Sequence, residues 1–344
     1  MRYGKFLKNN GTIGFVAPSF GCNIEPYFTG FKSAQRKFRE MGYQIDIGPN
    51  CYEGCGIGIS NTPEKCGEEL NEAYVSDKND VLISCGGGEL MCEVLNYLDF
   101  DKLKAAEPKW YMGYSDNTNM TFLLTTLCDT ASVYGPCAPA FGMEEWHPAI
   151  TDAYKILTGE KLTVRGYDKW ERESLKNEDN PTAPYHLTEE KILHHFNGLK
   201  STSASGMEGR LIGGCMDCLV NLTGTKFDRV AEFQEKYKED GFIWFLESCD
   251  LNVMSIRRAL WSMDNAGWFQ YARGFIIGRP LVFGQEMMGL DQYHAVVDIL
   301  GKYHVPVIMD ADIGHLPPSM PLICGSMARV RARGNEMEVE MTLE

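Results

Sequence analysis

Three residues stand where a nucleophile, a base and an orienting carboxylate are wanted. Ser115 lies in Gly113-Tyr114-Ser115-Asp116, directly after the apolar Trp110-Tyr111-Met112. A serine at a tight strand-to-helix turn is held out above a sheet edge, beside the N–H groups of the helix N-terminus. The Asp116 amide would then help to hold an oxyanion. The motif is not the GxSxG elbow of α/β-hydrolases, because Asn117 replaces the last glycine. Glu247 ends the apolar run Phe242–Leu246, at a core rim where a carboxylate can orient a base. His315 follows a third apolar run, with Gly314 before it and Pro317-Pro318 after it to fix the loop. Asp310 and Asp312 compete with Glu247 as orienters of that imidazole. Each residue also has a plain structural reading: helix cap, strand-end charge, packed histidine. In the order Ser, Glu, His they supply nucleophile, orienter and base.

Gly86-Gly87-Gly88 follows the apolar Val81-Leu82-Ile83-Ser84. As a dinucleotide loop it fails, because Met91 stands where GxGxxG needs its third glycine. A glycine run that exposes backbone amides also suits an oxyanion hole.

The elements that must position these groups alternate along the chain. Residues 11–17 read as a buried strand ending at Pro18-Ser19, and a helix is expected from Glu25 to Met41. Residues 42–47 form the next strand, and 62–78 a helix with Thr62 capping and Pro63 in its first turn. Strands at 81–84 and 110–112 follow, then a helix from Asn117 to Leu127. Strand and helix in alternation signal a parallel sheet with helices on both faces, and ligands then bind at the carboxyl ends of strands. Residues 166–209 are polar, with the turn-rich Lys176-Asn177-Glu178-Asp179-Asn180-Pro181, and are expected as a linker and loop. Beyond them come strands at 242–246, 274–277 and 305–309, and a helix at 254–265. The alternating stretches 328–332 and 336–341 read as a strand pair with one wet face. The expected organisation is an N-terminal α/β domain over 1–165 with the nucleophile, the linker, and a C-terminal domain over 210–344 with Glu247 and His315.

Composition narrows the classes. The 344 residues are 44% hydrophobic and 23% charged, an ordinary globular balance that excludes wholesale disorder. With 33 basic and 47 acidic residues the net charge is −14, and the chain repels phosphate backbones, so no nucleic-acid partner is expected. No apolar run reaches the roughly 18–20 residues of a membrane span, and the N-terminus lacks a signal peptide's apolar stretch. A cytoplasmic protein is expected. The 12 cysteines are scattered, with Cys215-Met216-Asp217-Cys218 as the one CxxC. A zinc site would want a second such pair or a histidine pair at matching spacing, so reduced thiols and no metal are expected.

With these motifs in place, the chain resembles the LD-carboxypeptidase family of serine peptidases, which also contains the microcin C immunity proteins. The resemblance runs through Ala17-Pro18-Ser19, Gly86-Gly87-Gly88, Gly113-Tyr114-Ser115-Asp116, Tyr134-Gly135-Pro136, Gly213-Gly214, Leu246-Glu247 and Gly314-His315. It implies a Ser-Glu-His triad on Ser115, Glu247 and His315, with an oxyanion hole from Gly87 or Gly88 and Asp116. It implies a flavodoxin-like N-terminal parallel-sheet domain, a C-terminal swivelling, barrel-like β/α domain, a homodimer, and no cofactor. The substrate would be a murein L,D-peptide or, in the immunity branch, an aminoacyl-nucleotide amide. Two positions bear on that choice. Family members usually carry asparagine where this chain has Cys215, which changes a substrate contact. Trp170, in the polar stretch, resembles the loop tryptophan of the immunity branch that stacks on a nucleobase. The rival of another class is a two-domain protein that binds a small ligand without chemistry, in which Ser115 would not react with an acylating probe.

Overall fold

Short apolar runs between amphipathic helices build the first sheet. In the computed structural model, which describes residues 1–344, the chain divides into two units. One comprises Met1–Leu162 and Glu173–His186, the other Thr163–Arg172 and Leu187–Glu344.

The first unit holds β1 (Thr12–Val16), α1 (Tyr27–Glu40), β2 (Gln44–Ile47), α2 (Pro63–Val75) and β3 (Val81–Ser84). Then come α3 (Met91–Val94), α4 (Phe100–Ala105), β4 (Trp110–Gly113), α5 (Thr118–Thr126), β5 (Ser132–Tyr134) and α6 (Pro148–Thr158). Its strands lie in the order β2-β1-β3-β4-β5, all parallel. That is the flavodoxin-like order, in which the loops at the strand C-termini form the binding edge. Local chemistry sets the ends of these elements. The Thr62 side chain accepts the Lys65 N–H with Pro63 in the first turn of α2, as expected. Gly159, at φ 77°, closes α6. On α1 the buried side chains Phe31, Ala34, Gln35 and Phe38 recur at helical spacing and face the sheet core. Every residue of α5 is buried, so the helix that follows Ser115 is fixed on all sides.

The second unit begins with β6 (Thr163–Arg165), β7 (Lys169–Trp170), β8 (Glu189–Glu190), β9 (His194–Asn197), β10 (Lys200–Thr202) and β11 (Ala204–Cys215). It continues with α7 (Met216–Leu222), α8 (Val230–Lys236), β12 (Phe242–Glu247), α9 (Val253–Asn265) and β13 (Ala272–Gly278). The remainder is β14 (Glu286–Met287), β15 (Leu290–Asp291), α10 (Gln292–Leu300), β16 (Pro306–Ala311), β17 (Leu322–Cys324), β18 (Met327–Arg333) and β19 (Glu336–Thr342). A nine-stranded sheet runs β10-β9-β16-β13-β12-β11-β18-β19-β6. Its centre, β11 to β16, is parallel and its flanks are antiparallel. The tail pair β18–β19 alternates buried and wet residues, as its sequence requires.

The stretch 166–209, expected as a polar linker and loop, differs in the structure. It carries β7 to β10 and the first residues of β11, and its residues are shared between the two units. Its polarity reflects edge position: β10 is the terminal strand of the sheet and is exposed throughout, so it needs no apolar face.

Close approach of β11 to β12 depends on one glycine. At Gly213, φ is 149°, and a Cβ there would lie 1.8 Å from the Phe245 carbonyl oxygen. Gly213→Ala should therefore destabilise the second unit, by about 1–3 kcal/mol from backbone conformation alone. Chemical denaturation checks this, and an unchanged midpoint would contradict the packing described.

Candidate active site

Ser115 opens a 3-10 turn, Ser115–Asn117, between β4 and α5, with φ at +62°. A non-glycine residue in the left-handed region is strained, and it persists where its surroundings hold it. Here they do. The Ser115 N–H donates to the Tyr134 hydroxyl at 3.2 Å. Asn117 donates to the Gly86 carbonyl at 2.7 Å and accepts from the Tyr111 hydroxyl. A Cβ at Gly113 would lie 2.8 Å from that of Asn117, so only glycine fits beneath the turn.

The glycine turn lies against the serine. A Cβ placed on Gly87 would meet Ser115 Cβ at 3.0 Å and Oγ at 3.1 Å. Gly88, at φ 151°, leaves room instead for Ser19 Oγ, 2.2 Å from where its Cβ would lie. The Asp116 carboxylate ties these loops together. It accepts from Ser19 Oγ at 2.5 Å, from the Met91 N–H at 2.9 Å and from Asn119 Nδ2 at 3.0 Å. Loops after β1, β3 and β4 thus share one buried anchor. The sequence pattern offers Asp116 an oxyanion amide or a helix cap, and neither role reveals that its carboxylate ties three loops together.

The second unit holds an imidazole paired with a buried carboxylate. Glu247 ends β12 with its side chain 0% exposed, and its Oε2 accepts from His315 Nδ1 at 2.8 Å. Glycines make the space for this pair. A Cβ on Gly314 would come within 2.7 Å of Glu247 Oε2, and one on Gly278 within 3.0 Å of Glu247 Cβ. Gly314 N–H donates to Ser319 Oγ at 3.1 Å, which fixes the loop that carries His315. Burial disfavours the imidazolium, but the Glu247 carboxylate, with the Cys249 sulfur nearby, outweighs it. Together they hold the His315 pKa well above its ordinary 6.5.

Neither competing orienter reaches His315 in this role. The Asp310 carboxylate, on a residue with φ +63°, accepts from Gln292 at 2.7 Å, Tyr293 at 2.9 Å and His194 at 3.0 Å. Asp312 pairs with buried Arg279 at 2.5 Å and accepts the Tyr167 N–H at 2.7 Å. Burial nonetheless pushes the Asp312 carboxyl up, with Arg279 opposing. Arg279 also donates to the Asp310 carbonyl at 2.9 Å, so one guanidinium braces the strand that leads to His315.

The two expected substrate contacts are both buried. Cys215 lies beside Glu247 in the β11–β12 register, and its thiol donates to Asp217 Oδ2 at 3.3 Å. Trp170 packs within its own unit. It is 3% exposed, edge-to-face with Phe283 at 5.1 Å, and the Arg279 guanidinium sits 5.1 Å from its ring centroid. Its faces are taken by the protein, because an isolated large aromatic in a polar stretch finds apolar and cationic partners in its own unit. All 12 cysteines are free thiols, most of them buried. No helix is long and apolar enough to cross a membrane.

The sequence matches the model of the LD-carboxypeptidase N-terminal domain over residues 13–135 and that of the C-terminal domain over 208–330. The chain belongs to the LD-carboxypeptidase family. The fold agrees with this family's solved relatives. An MccF-like protein from Bacillus anthracis shares 21% identity, with a TM-score of 0.83 over 99% of this chain and 100% of its own. The microcin C7 self-immunity protein MccF, solved with glutamyl sulfamoyl guanosine, has 21% identity and a TM-score of 0.78, covering 99% and 98%. An MccF-like protein from Streptococcus pneumoniae in complex with AMP has 20% identity and a TM-score of 0.76, covering 96% and 98%. No curated protein matches the sequence itself.

The raised histidine gives a directional test. Its folded pKa lies above the unfolded value, so the pairing's contribution to stability is fully present below pH 6.5 and is lost as pH rises through the folded pKa. NMR titration of His315 should place its midpoint above 6.5, and Glu247→Gln should move it downward, since burial remains while the anion is gone. An unmoved midpoint would mean that Glu247 does not hold the imidazolium.

Proposed function

We propose that this protein is a serine hydrolase that cuts an amide bond through an acyl-enzyme. Ser115 is the nucleophile, His315 the general base and acid, and Glu247 the carboxylate that orients the imidazole. The observation that carries the reading is the backbone of Ser115, held at φ +62° at a strand-to-helix turn with Gly87 against its side chain. Strain of this kind clusters at reacting groups.

In this mechanism His315 takes the proton of Ser115 Oγ as the oxygen attacks the carbonyl carbon. The Gly87 and Asp116 amides hold the oxyanion, with Gly88 as the alternative donor. Glu247 fixes the Nδ1–H tautomer and stabilises the imidazolium that forms. His315 then protonates the leaving amine, and water repeats the cycle to free the acid. Because the imidazole must be neutral to act as base, activity rises with pH on a limb above 6.5.

The substrate we favour is a murein peptide cut between an L-centre and a terminal D-amino acid, the chemistry for which the family is named. The second reading, an amidase for aminoacyl-nucleotides, is supported by the fold shared with MccF, which was solved with glutamyl sulfamoyl guanosine and aspartyl sulfamoyl adenosine. Burial of Trp170 removes one support for it, since that ring is not presented for stacking on a base.

Purified protein should be assayed on a murein L,D-tetrapeptide and on an aminoacyl sulfamoyl-adenosine. Ser115→Ala should lower kcat by roughly 10⁴- to 10⁶-fold on the true substrate with the fold intact. A variant that keeps a tenth or more of the wild-type rate would refute the nucleophile.

Trp170→Ala serves as the companion measurement. Removing a buried tryptophan costs about 3–5 kcal/mol of stability, and the remaining folded protein should show equal changes in KM for both substrate classes. A KM rise confined to the nucleotide substrate would restore the stacking role.

A further inference from the structure

Asp217 carries contacts that the triad does not explain. It lies in the first turn of α7, two residues after Cys215, and its carboxylate meets the loop that leaves Glu247. Oδ2 accepts the Cys249 N–H at 3.0 Å and the Cys215 thiol at 3.3 Å, and Oδ1 accepts the Asp250 N–H at 2.9 Å. Two successive backbone N–H groups downstream of Glu247 therefore end on one carboxylate. A loop of this kind has no ladder to hold it, so its path is set by such bonds. Cys249 is half-buried, its thiol donates to Asp250 Oδ1 at 3.7 Å, and it lies close enough to His315 for each to shift the other's proton affinity. The same short turn thus begins at the carboxylate that bonds the ring and is pinned two and three residues later by Asp217.

We infer that Asp217 is a positioning residue for the Glu247–His315 pair, anchoring residues 249 and 250 so that the Glu247 carboxylate at the head of the turn meets the imidazole. Its kinetic consequence rests on the hydrolase reading, while its geometric consequence does not. Hydrogen bonds to an ionised acceptor are the stronger kind, and a carboxylate has acceptors on both oxygens. An asparagine has one carbonyl oxygen and one NH2, so it can satisfy one of the two N–H groups and must set a donor against the other. Asp217→Asn therefore loosens the turn while keeping the side-chain volume. Asp217→Glu keeps both acceptors on a longer arm.

The test combines kinetics with an observable that needs no turnover. Asp217→Asn should lower kcat by about 10- to 100-fold, the cost of misplacing a catalytic group by an ångström or so. KM should change by less than about threefold, since no substrate contact is removed. The His315 midpoint, read by NMR in the absence of substrate, should shift downward in the same variant, and Asp217→Glu should recover most of both. In the wild-type chain the Cys249 and Asp250 amides should be protected from hydrogen exchange although they lie in a loop. Wild-type kcat and an unshifted His315 midpoint in Asp217→Asn would overturn the inference. So would rapid exchange of both amides, a result that needs no variant to fold. Absence of turnover by the wild type on every substrate would instead count against the hydrolase reading and leave the NMR and exchange results to decide the role of Asp217.

Discussion

A carboxylate with no solvent exposure, bonded to an imidazole that is itself 13% exposed, is the constraint on which the second unit depends. An ionised group in such a place is costly unless it is paired and hydrogen-bonded. The surroundings are arranged around that requirement. Gly278 and Gly314 yield the volume that Glu247 occupies, and neither position accepts a Cβ. Arg279 braces the Asp310–Asp312 segment below His315, and Ser319 fixes the Gly314 amide above it. Asp217 closes the turn that follows Glu247. Each of these groups acts on the position of the carboxylate or the ring.

The first unit solves a different problem, that of keeping a serine in a backbone conformation its side chain disfavours. Asp116 and Asn117, the two residues after Ser115, turn inward and bind the loops after β1 and β3. The strained residue is therefore bracketed by buried polar anchors and by an α5 helix with no wet face. A buried hydrogen-bonded network of this sort rigidifies its region. Its cost in backbone strain falls on the one residue that the proposed chemistry needs.

Much of this was legible in the sequence because it rests on local pattern. Apolar runs, helical spacing and the Thr62-Pro63 start gave β1 to β4, α1 and α2 within a few residues, and the parallel sheet followed from their alternation. The motif order Ser115, Glu247, His315 pointed to the pair that the fold of the second unit brings to 2.8 Å. What escaped was set by neighbours distant in sequence. Asp310 and Asp312 were as well spaced as Glu247 for orienting His315, and only their partners, Gln292, Tyr293, His194 and Arg279, remove them. Trp170 looked like a free ring because nothing local reveals Phe283 and Arg279. The polar stretch around it looked like a linker because edge strands need little apolar sequence. Asp217 lies inside the Cys215–Cys218 CxxC, and its signal was only that of an acidic residue in a first helical turn after Gly-Gly.

The central claim is that Ser115, through a histidine held by Glu247, is the acylated residue. Treating the purified chain with a serine-directed fluorophosphonate probe and mapping the adduct by mass spectrometry tests it without knowledge of the substrate. The account predicts one adduct, on Ser115, formed faster as pH rises through the His315 midpoint and suppressed in Glu247→Gln. An adduct on another residue, or labelling of Ser115 that is indifferent to both pH and Glu247→Gln, would contradict it.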